Sequence, residues 1–271
     1  MPAASGGRAT APVAPPPHIR LNTLDSGRID VADMSLFSDT GEHSGEKGEL
    51  AAPCFLIRHP KGDLLWDTGL GDRLAALPNG QPMGDVARLS VRVTLAAQLA
   101  QLGLKPSDIR YVAFSHLHFD HTGNANAFTA STWLLNSSEL KWALSTPTPF
   151  GVDPTTFSGY TRAKITPTDQ DYDVFGDGSV RILKAPGHTP GHQMLMVHLA
   201  GSGAVILSGD LFHTRENFEK SLVPPGNTSR AETLASADRL VRLLHNDGAR
   251  LVVQHDLNDF KSLPAFPRFL E

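Results

Sequence analysis

Cys54 is the only cysteine in 271 residues. Its isolation excludes an intrachain disulfide and any metal site built from several thiolates. Within PCFLIRHP it reads as strand packing. Basic residues are not in excess, with 24 Lys and Arg against 28 Asp and Glu, a net charge of -4 and a pI near 6.3. Such a balance leaves no footprint for nucleic acid or for an anionic membrane. No apolar run approaches the roughly 20 residues that cross a bilayer. Residues 1–17, MPAASGGRATAPVAPPP, lack the apolar segment of a signal peptide. Their Ala, Pro and Gly predict a disordered leader, or what remains after a signal is removed, so a cytoplasmic and an exported location both stay open.

The remaining chain, residues 18–271, has the composition of an ordinary globular protein, 40% hydrophobic and 19% charged over the whole sequence. HIRLNTLDSGRIDV and CFLIRHPKGDLLWDTG read as strands, the latter folded at HPKGD into a hairpin. VRVTLAAQLAQL, residues 91–102, has helical spacing, and IRYVAFS is a buried strand. In the second half STWLLN is a strand, and SSELKWAL opens a helix with Ser137 or Ser138 as its cap. VRILKAP, MLMVHL, AVILSGD and ARLVVQHD are further strands, and RAETLASADRLVRLLHND is an amphipathic helix closed by Gly248. Residues 145–172 have little periodicity and read as an insertion or loop near the site. The pattern predicts a single layered domain, α/β or α+β, with one sheet from each half, and α+β is the expected class.

SHLHFDHTGN follows the buried strand. It holds His116, His118, Asp120 and His121 within six residues. Imidazole and carboxylate suit divalent zinc, manganese, iron or cobalt. His116 and His118 share a face because alternate extended residues do, and Asp120 and His121 can turn toward a second ion. A lone histidine usually packs or is solvated; four ligand-type residues at this spacing do not fit that reading. Three more strand ends supply candidates in order: His188 in KAPGHTPGH, Asp210 in VILSGDLF and His255 in LVVQHDLN.

This set, together with HPKGDLLWDTG and SGDLFHTRENFE, resembles the metallo-β-lactamase superfamily and, within it, the N-acyl homoserine lactonase-like branch. The resemblance spans about residues 19–271. It implies a four-layer αβ/βα sandwich with two metal ions in a cleft at one edge of two packed sheets. Carried over residue by residue, one ion would bind His116, His118 and His188. The other would bind Asp120, His121 and His255, and Asp210 would bridge them. Asp67, in the DTG segment, matches the pattern as well; a supporting or turn role is expected of it, and not direct ligation.

Two ions roughly 3.5–4 Å apart lower the pKa of a shared water toward ~7, which points to metal-assisted hydrolysis with Asp120 carrying the proton. The bridging Asp210 disfavours a primary β-lactamase. The missing basic surface disfavours a ribonuclease, and no basic cluster answers a glutathione carboxylate. A small neutral lactone, foremost an N-acyl homoserine lactone, is therefore the expected substrate. Phosphotriester, aryl ester and thioester hydrolysis are the alternatives, and metal binding without turnover is the third class. Lactonases of the branch carry Tyr three residues after the bridging Asp, where this chain has His213; His213 is expected to donate a hydrogen bond to the substrate without binding metal. Phe119 and Phe212, inside the metal motifs, are expected to line an acyl pocket, while Phe37, Phe150 and Phe218 read as core. Oligomeric state stays open, a homodimer included.

Overall fold

In the computed structural model, which describes residues 18–271, alternate residues of the strand Cys54–Arg58 enter different cores. Phe55 and Ile57 pack into one buried cluster, Cys54 and Leu56 into another. This period of two marks a strand covered on both faces. The strand lies in a seven-stranded sheet ordered Lys164–Pro167, Thr132–Leu135, Tyr111–Ala113, Leu64–Trp66, Cys54–Arg58, Arg20–Leu24 and Phe269–Leu270. A second sheet runs Tyr172–Asp173, Val180–Lys184, Gln193–Leu199, Gly203–Leu207 and Arg250–Val252. Val180, Ile182, Leu195, Val205 and Val252 meet Phe55, Ile57 and Trp66 to form the core between the sheets.

The outer faces are covered by helices. Leu95–Gln101 and Ser137–Ala143 place Leu95, Leu99 and Ala143 against Leu56 and Val112. On the far side Arg230–Asp247 packs Leu240 against Leu183, Met194 and Ile206. The result is the expected four-layer αβ/βα sandwich. Each large aliphatic side chain buried this completely contributes roughly 1.5–3 kcal/mol. Among the described residues no helix is long and apolar enough to cross a membrane.

Several local readings change. The leader expected over residues 1–17 lies outside the described residues. The helix expected over 91–102 begins only at Leu95, because the Thr94 hydroxyl accepts the Ala97 N–H at 3.1 Å and sets the start there. Asn136, and not Ser137 or Ser138, caps the next helix, its Oδ1 accepting the Ser138 and Glu139 N–H groups. A third sheet of four short strands, Gly48–Ala51, Arg28–Val31, Ala87–Ser90 and Gln81–Met83, was not expected. Residues 145–172 are largely irregular, with a short edge strand at Lys164–Pro167.

A strap, residues 33–46, crosses beside this third sheet. Asp33 closes it by accepting the Ser35 and Gly45 N–H groups, and Asn217 holds the Phe37 carbonyl at 2.9 Å. His43 joins it to the helix Arg215–Lys220, with Nε2 at 2.7 Å from Glu216 and Nδ1 at 3.0 Å from Glu46. Hydrogen bonds to Glu46 and then Glu216 raise the His43 pKa above its ordinary value. The clamp therefore contributes fully below about pH 6.5 and is lost as pH rises through the raised value. His43→Ala should lower the melting temperature at pH 6 and leave it nearly unchanged at pH 9.5. Equal shifts at both pH values would rule out the ionic clamp.

Candidate metal centre

Every candidate ligand sits just past the C-terminal end of a strand, at one edge of the two sheets. Tyr111–Ala113 leads to His116 and His118, and the short helix Phe119–Thr122 carries Asp120 and His121. Val180–Lys184 leads to His188, Gly203–Leu207 to Asp210 and Arg250–Val252 to His255. The structure gathers them into two groups: His116, His118, His188 and Asp210, and Asp120, His121, Asp210 and His255. Within each group the ligand atoms lie no more than 4.8 Å apart. Asp210 belongs to both. Its Oδ1 is 3.1 Å from Nε2 of both His121 and His255, and its Oδ2 is 3.5 Å from His188 and 3.7 Å from His116.

The hydrogen bonds behind these side chains decide which nitrogens face inward. His121 Nδ1 donates to Asp67 at 2.9 Å, His188 Nδ1 to Asn227 Oδ1 at 2.9 Å, and His255 Nδ1 to the backbone carbonyl of Ala51 at 2.5 Å. Their Nε2 atoms are then lone-pair donors. Yet His121 and His255 Nε2 lie 3.2 Å apart, both facing Asp210 Oδ1, and that oxygen has no hydrogen-bond partner. His188 Nε2 is 3.2 Å from His116 Nε2 and 3.1 Å from His118 Nδ1. Converging lone pairs in a buried site require positive charge between them. Divalent metal is what this donor set fits, with all-nitrogen-and-oxygen ligands and a supporting partner behind each of these three imidazoles.

The electrostatics agree. Burial pushes His116 and His188 well below the usual imidazole range and His118 down to about 4, so these three are neutral donors. Burial would raise Asp210, but His255 and His121 beside it hold it well below the ordinary carboxylate range. Burial would likewise lower His121 and His255; Asp210, with Asp67 and Asp120 beside His121, raises both instead. This side of the site attracts positive charge.

Asp67 stands behind the candidate ligand His121. Fully buried, it also accepts from Ser115 N–H at 2.7 Å and Gln254 Nε2 at 2.7 Å, and its φ of 58° is rare for a non-glycine residue and costs backbone strain. Gln254 in turn accepts from Trp66 Nε1 and Gly209 N–H. His192 was not singled out from sequence. Its Nδ1 donates to the Ala185 carbonyl, so Nε2 accepts the Asp210 N–H at 2.9 Å and fixes the backbone of the shared carboxylate. Gly209 permits this approach: at its φ of +52° a Cβ would stand 2.5 Å from His192 Nε2. The second His of APGHTPGH was a visible signal; the Gln of VVQHD was not separable from a solvated polar residue.

His213 differs from the ligands. Its Nε2 is 3.2 Å from Asp210 Oδ2, and its ring stacks near-parallel to His255 at 5.7 Å and lies 4.6 Å from Phe37. Its buried Nδ1 has no partner. His121, His188 and His255 each have one, so His213 lacks the backing that orients a metal-binding imidazole.

Above the centre lies a cavity of about 430 Å³ whose floor is formed by His118, Asp120, His188, Asp210, His213 and His255. Ile29, Val31, Leu50 and Met83 of the third sheet and Val86 of the turn after Met83 wall it, with Phe37, Phe119 and Phe150 also in the apolar lining. Phe212 does not line it. It is 3% exposed and packs edge-to-face on Phe218 in the outer core beneath the helix Arg230–Asp247, where Leu211 is buried beside it. Phe37 and Phe150, read as core, reach the cavity instead, Phe150 being 84% exposed.

A sequence profile of the metallo-beta-lactamase superfamily matches residues 48–255. The N-acyl homoserine lactonase AttM of Azorhizobium caulinodans is 32% identical over 263 residues, covering 93% of this chain and 99% of the relative. The N-acyl homoserine lactonase AiiA of Bacillus thuringiensis subsp. kurstaki is 30% identical over 80% of this chain and 86% of its own. A B. thuringiensis AiiA variant with N-decanoyl-L-homoserine at its active site superposes with a TM-score of 0.80 at 27% identity, over 93% of this chain and 98% of that one.

Proposed function

The chain belongs to the metallo-β-lactamase superfamily, in its N-acyl homoserine lactonase branch, and from that premise we propose that it is a dinuclear metal-dependent hydrolase that opens the ring of N-acyl homoserine lactones and so quenches quorum signals. The observation that carries the reading is the shared Asp210 carboxylate, set between two groups of imidazoles beneath an apolar cavity. His116, His118 and His188 would hold one ion and Asp120, His121 and His255 the other, with zinc first and manganese, iron or cobalt accepted by the same donors. When bound, the ions supply a Lewis acid for the lactone carbonyl and hydroxide from water near neutral pH.

The chain's own residues do the rest. Asp120 is a floor carboxylate at 3.4 Å from His255 and 3.6 Å from His121, and it faces the cavity. There it can take the proton of the attacking water and return it to the ring oxygen as the C–O bond breaks. His213 Nε2–H is available to the developing oxyanion or the leaving alkoxide. One water is consumed, and a carboxylate, an alcohol and one proton are released. The apolar walls exclude water from the acyl chain and favour a neutral substrate.

A hydrolysis panel of acyl-homoserine lactones, aryl esters, thioesters and a phosphotriester tests this. The lactones should give the highest kcat/KM. A phosphotriester or thioester about a hundredfold better would replace the reading with that class. Within the lactones, N-decanoyl should exceed N-butanoyl by at least about tenfold, since two well-buried methylenes at ~0.8 kcal/mol each already supply that factor. A flat chain-length profile would separate the cavity from acyl recognition.

A further inference from the structure

Glu139 is a 1% exposed carboxylate outside both groups of candidate ligands. One of its oxygens accepts the Leu117 N–H at 2.9 Å, and the other accepts the Gly191 N–H at 2.9 Å. Leu117 lies between His116 and His118. Gly191 ends the turn that begins at His188. One side chain is thus bonded to the backbone of both segments that bring the three nitrogens of the first group together. Those segments are remote in sequence, 22 and 52 residues from Glu139.

The clamp is itself anchored. Asn136 Oδ1 accepts the Glu139 N–H, Asn136 Nδ2 donates to the Thr168 carbonyl, and Ser137 bonds Asp169 through N–H at 2.7 Å. Gly191 allows the close approach: a Cβ there would stand 2.5 Å from Glu139 Cβ and 2.6 Å from Asn136 Oδ1. Two converging backbone donors call for two acceptors on one rigid fork, which among side chains only a carboxylate offers.

We propose that Glu139 is a positioning residue of the metal centre, its carboxylate setting the spacing of His116, His118 and His188 through the backbones of Leu117 and Gly191. The proposal rests on the dinuclear reading above. Its test is zinc binding to metal-free protein, titrated against a chromophoric chelator, with melting temperatures measured before and after loading. Glu139→Gln keeps the shape but turns one acceptor into a donor facing an N–H. One ion should then bind about 10–100-fold more weakly while the other stays within about threefold of its native affinity. The rise in melting temperature on loading should shrink accordingly.

Native affinity for both ions, with melting temperatures lowered equally in the metal-free and loaded forms, makes Glu139 a core hydrogen-bonding group and overturns the proposal. Equal weakening of both ions overturns it too, because the clamp spans only the segments of the three-nitrogen group. Should the Gln variant not fold, Glu139→Asp, with both acceptors on a shorter arm, goes through the same titration with the same outcomes. Native protein taking up fewer than two ions would sink the dinuclear reading itself, a failure distinct from that of the clamp.

Discussion

Asp210→Ala will retain at most one ion and lose about 10³-fold or more in kcat/KM, since transition-state stabilisation of several kcal/mol goes with the second ion and ~1.4 kcal/mol is a factor of ten. The size of the effect comes from the position of the carboxylate. Its two oxygens face different imidazole pairs, Oδ1 toward His121 and His255 and Oδ2 toward His116 and His188. Without it, His116, His118 and His188, whose nitrogens lie 3.1–3.2 Å apart, lose the carboxylate of their group, and His121 and His255 keep only Asp120 facing their Nε2 atoms. The fold should survive, because His192 holds residue 210 through its backbone N–H and not through its side chain. Elemental analysis and kinetics on the same preparation decide the matter. A variant with two ions and activity within tenfold of native would show that the carboxylate is not shared.

His213→Ala should fall by about 10²–10³ in kcat with both ions still bound, the usual effect of removing one donor to a developing oxyanion. His213→Tyr should recover part of the loss, because a phenol can donate from the same place. The rival role for this histidine is to order the segment after it. That segment is tied down without it: Thr214 and Asn217 cap each other, and the Arg215 N–H donates to Asp256 at 2.8 Å. An unpartnered Nδ1 adds nothing to that order. If ordering were the role, Ala would lower the melting temperature with kcat nearly intact, and that result would remove His213 from the chemistry.

The residues that converge on the candidate centre were legible because each is a costly side chain placed directly after an apolar run, the arrangement that leaves a polar group at a sheet edge. Strands were legible as apolar runs, but their alternation was not: Phe55 and Ile57 enter one core and Leu56 another, so CFLI carries no polar period. The third sheet was not legible. Its strands are three or four residues long, and Gln81–Met83 and Ala87–Ser90 are for the most part only half-buried, so neither propensity nor periodicity accumulates. Phe212 misled because nearness to Asp210 in sequence does not fix direction: the chain turns after Asp210, and Leu211 and Phe212 both enter the outer core. Glu139 and Gln254 were invisible for another reason: a buried hydrogen-bonding role gives a polar residue the same letter as a solvated one.

The third sheet also separates two kinds of heritable change. All seven candidate ligands descend from the edges of the two large sheets, whereas Ile29, Val31, Leu50 and Met83, which would meet the variable part of a substrate, belong to the small one. Substitutions there exchange one aliphatic surface for another, and the sheet's bond to the candidate centre, from His255 Nδ1 to the Ala51 carbonyl, is made by backbone and not by these side chains. A lineage carrying this scaffold can therefore drift in chain-length preference through near-neutral steps while its hydrolytic centre stays under unbroken selection, and laboratory evolution aimed at new lactones has its library already delimited.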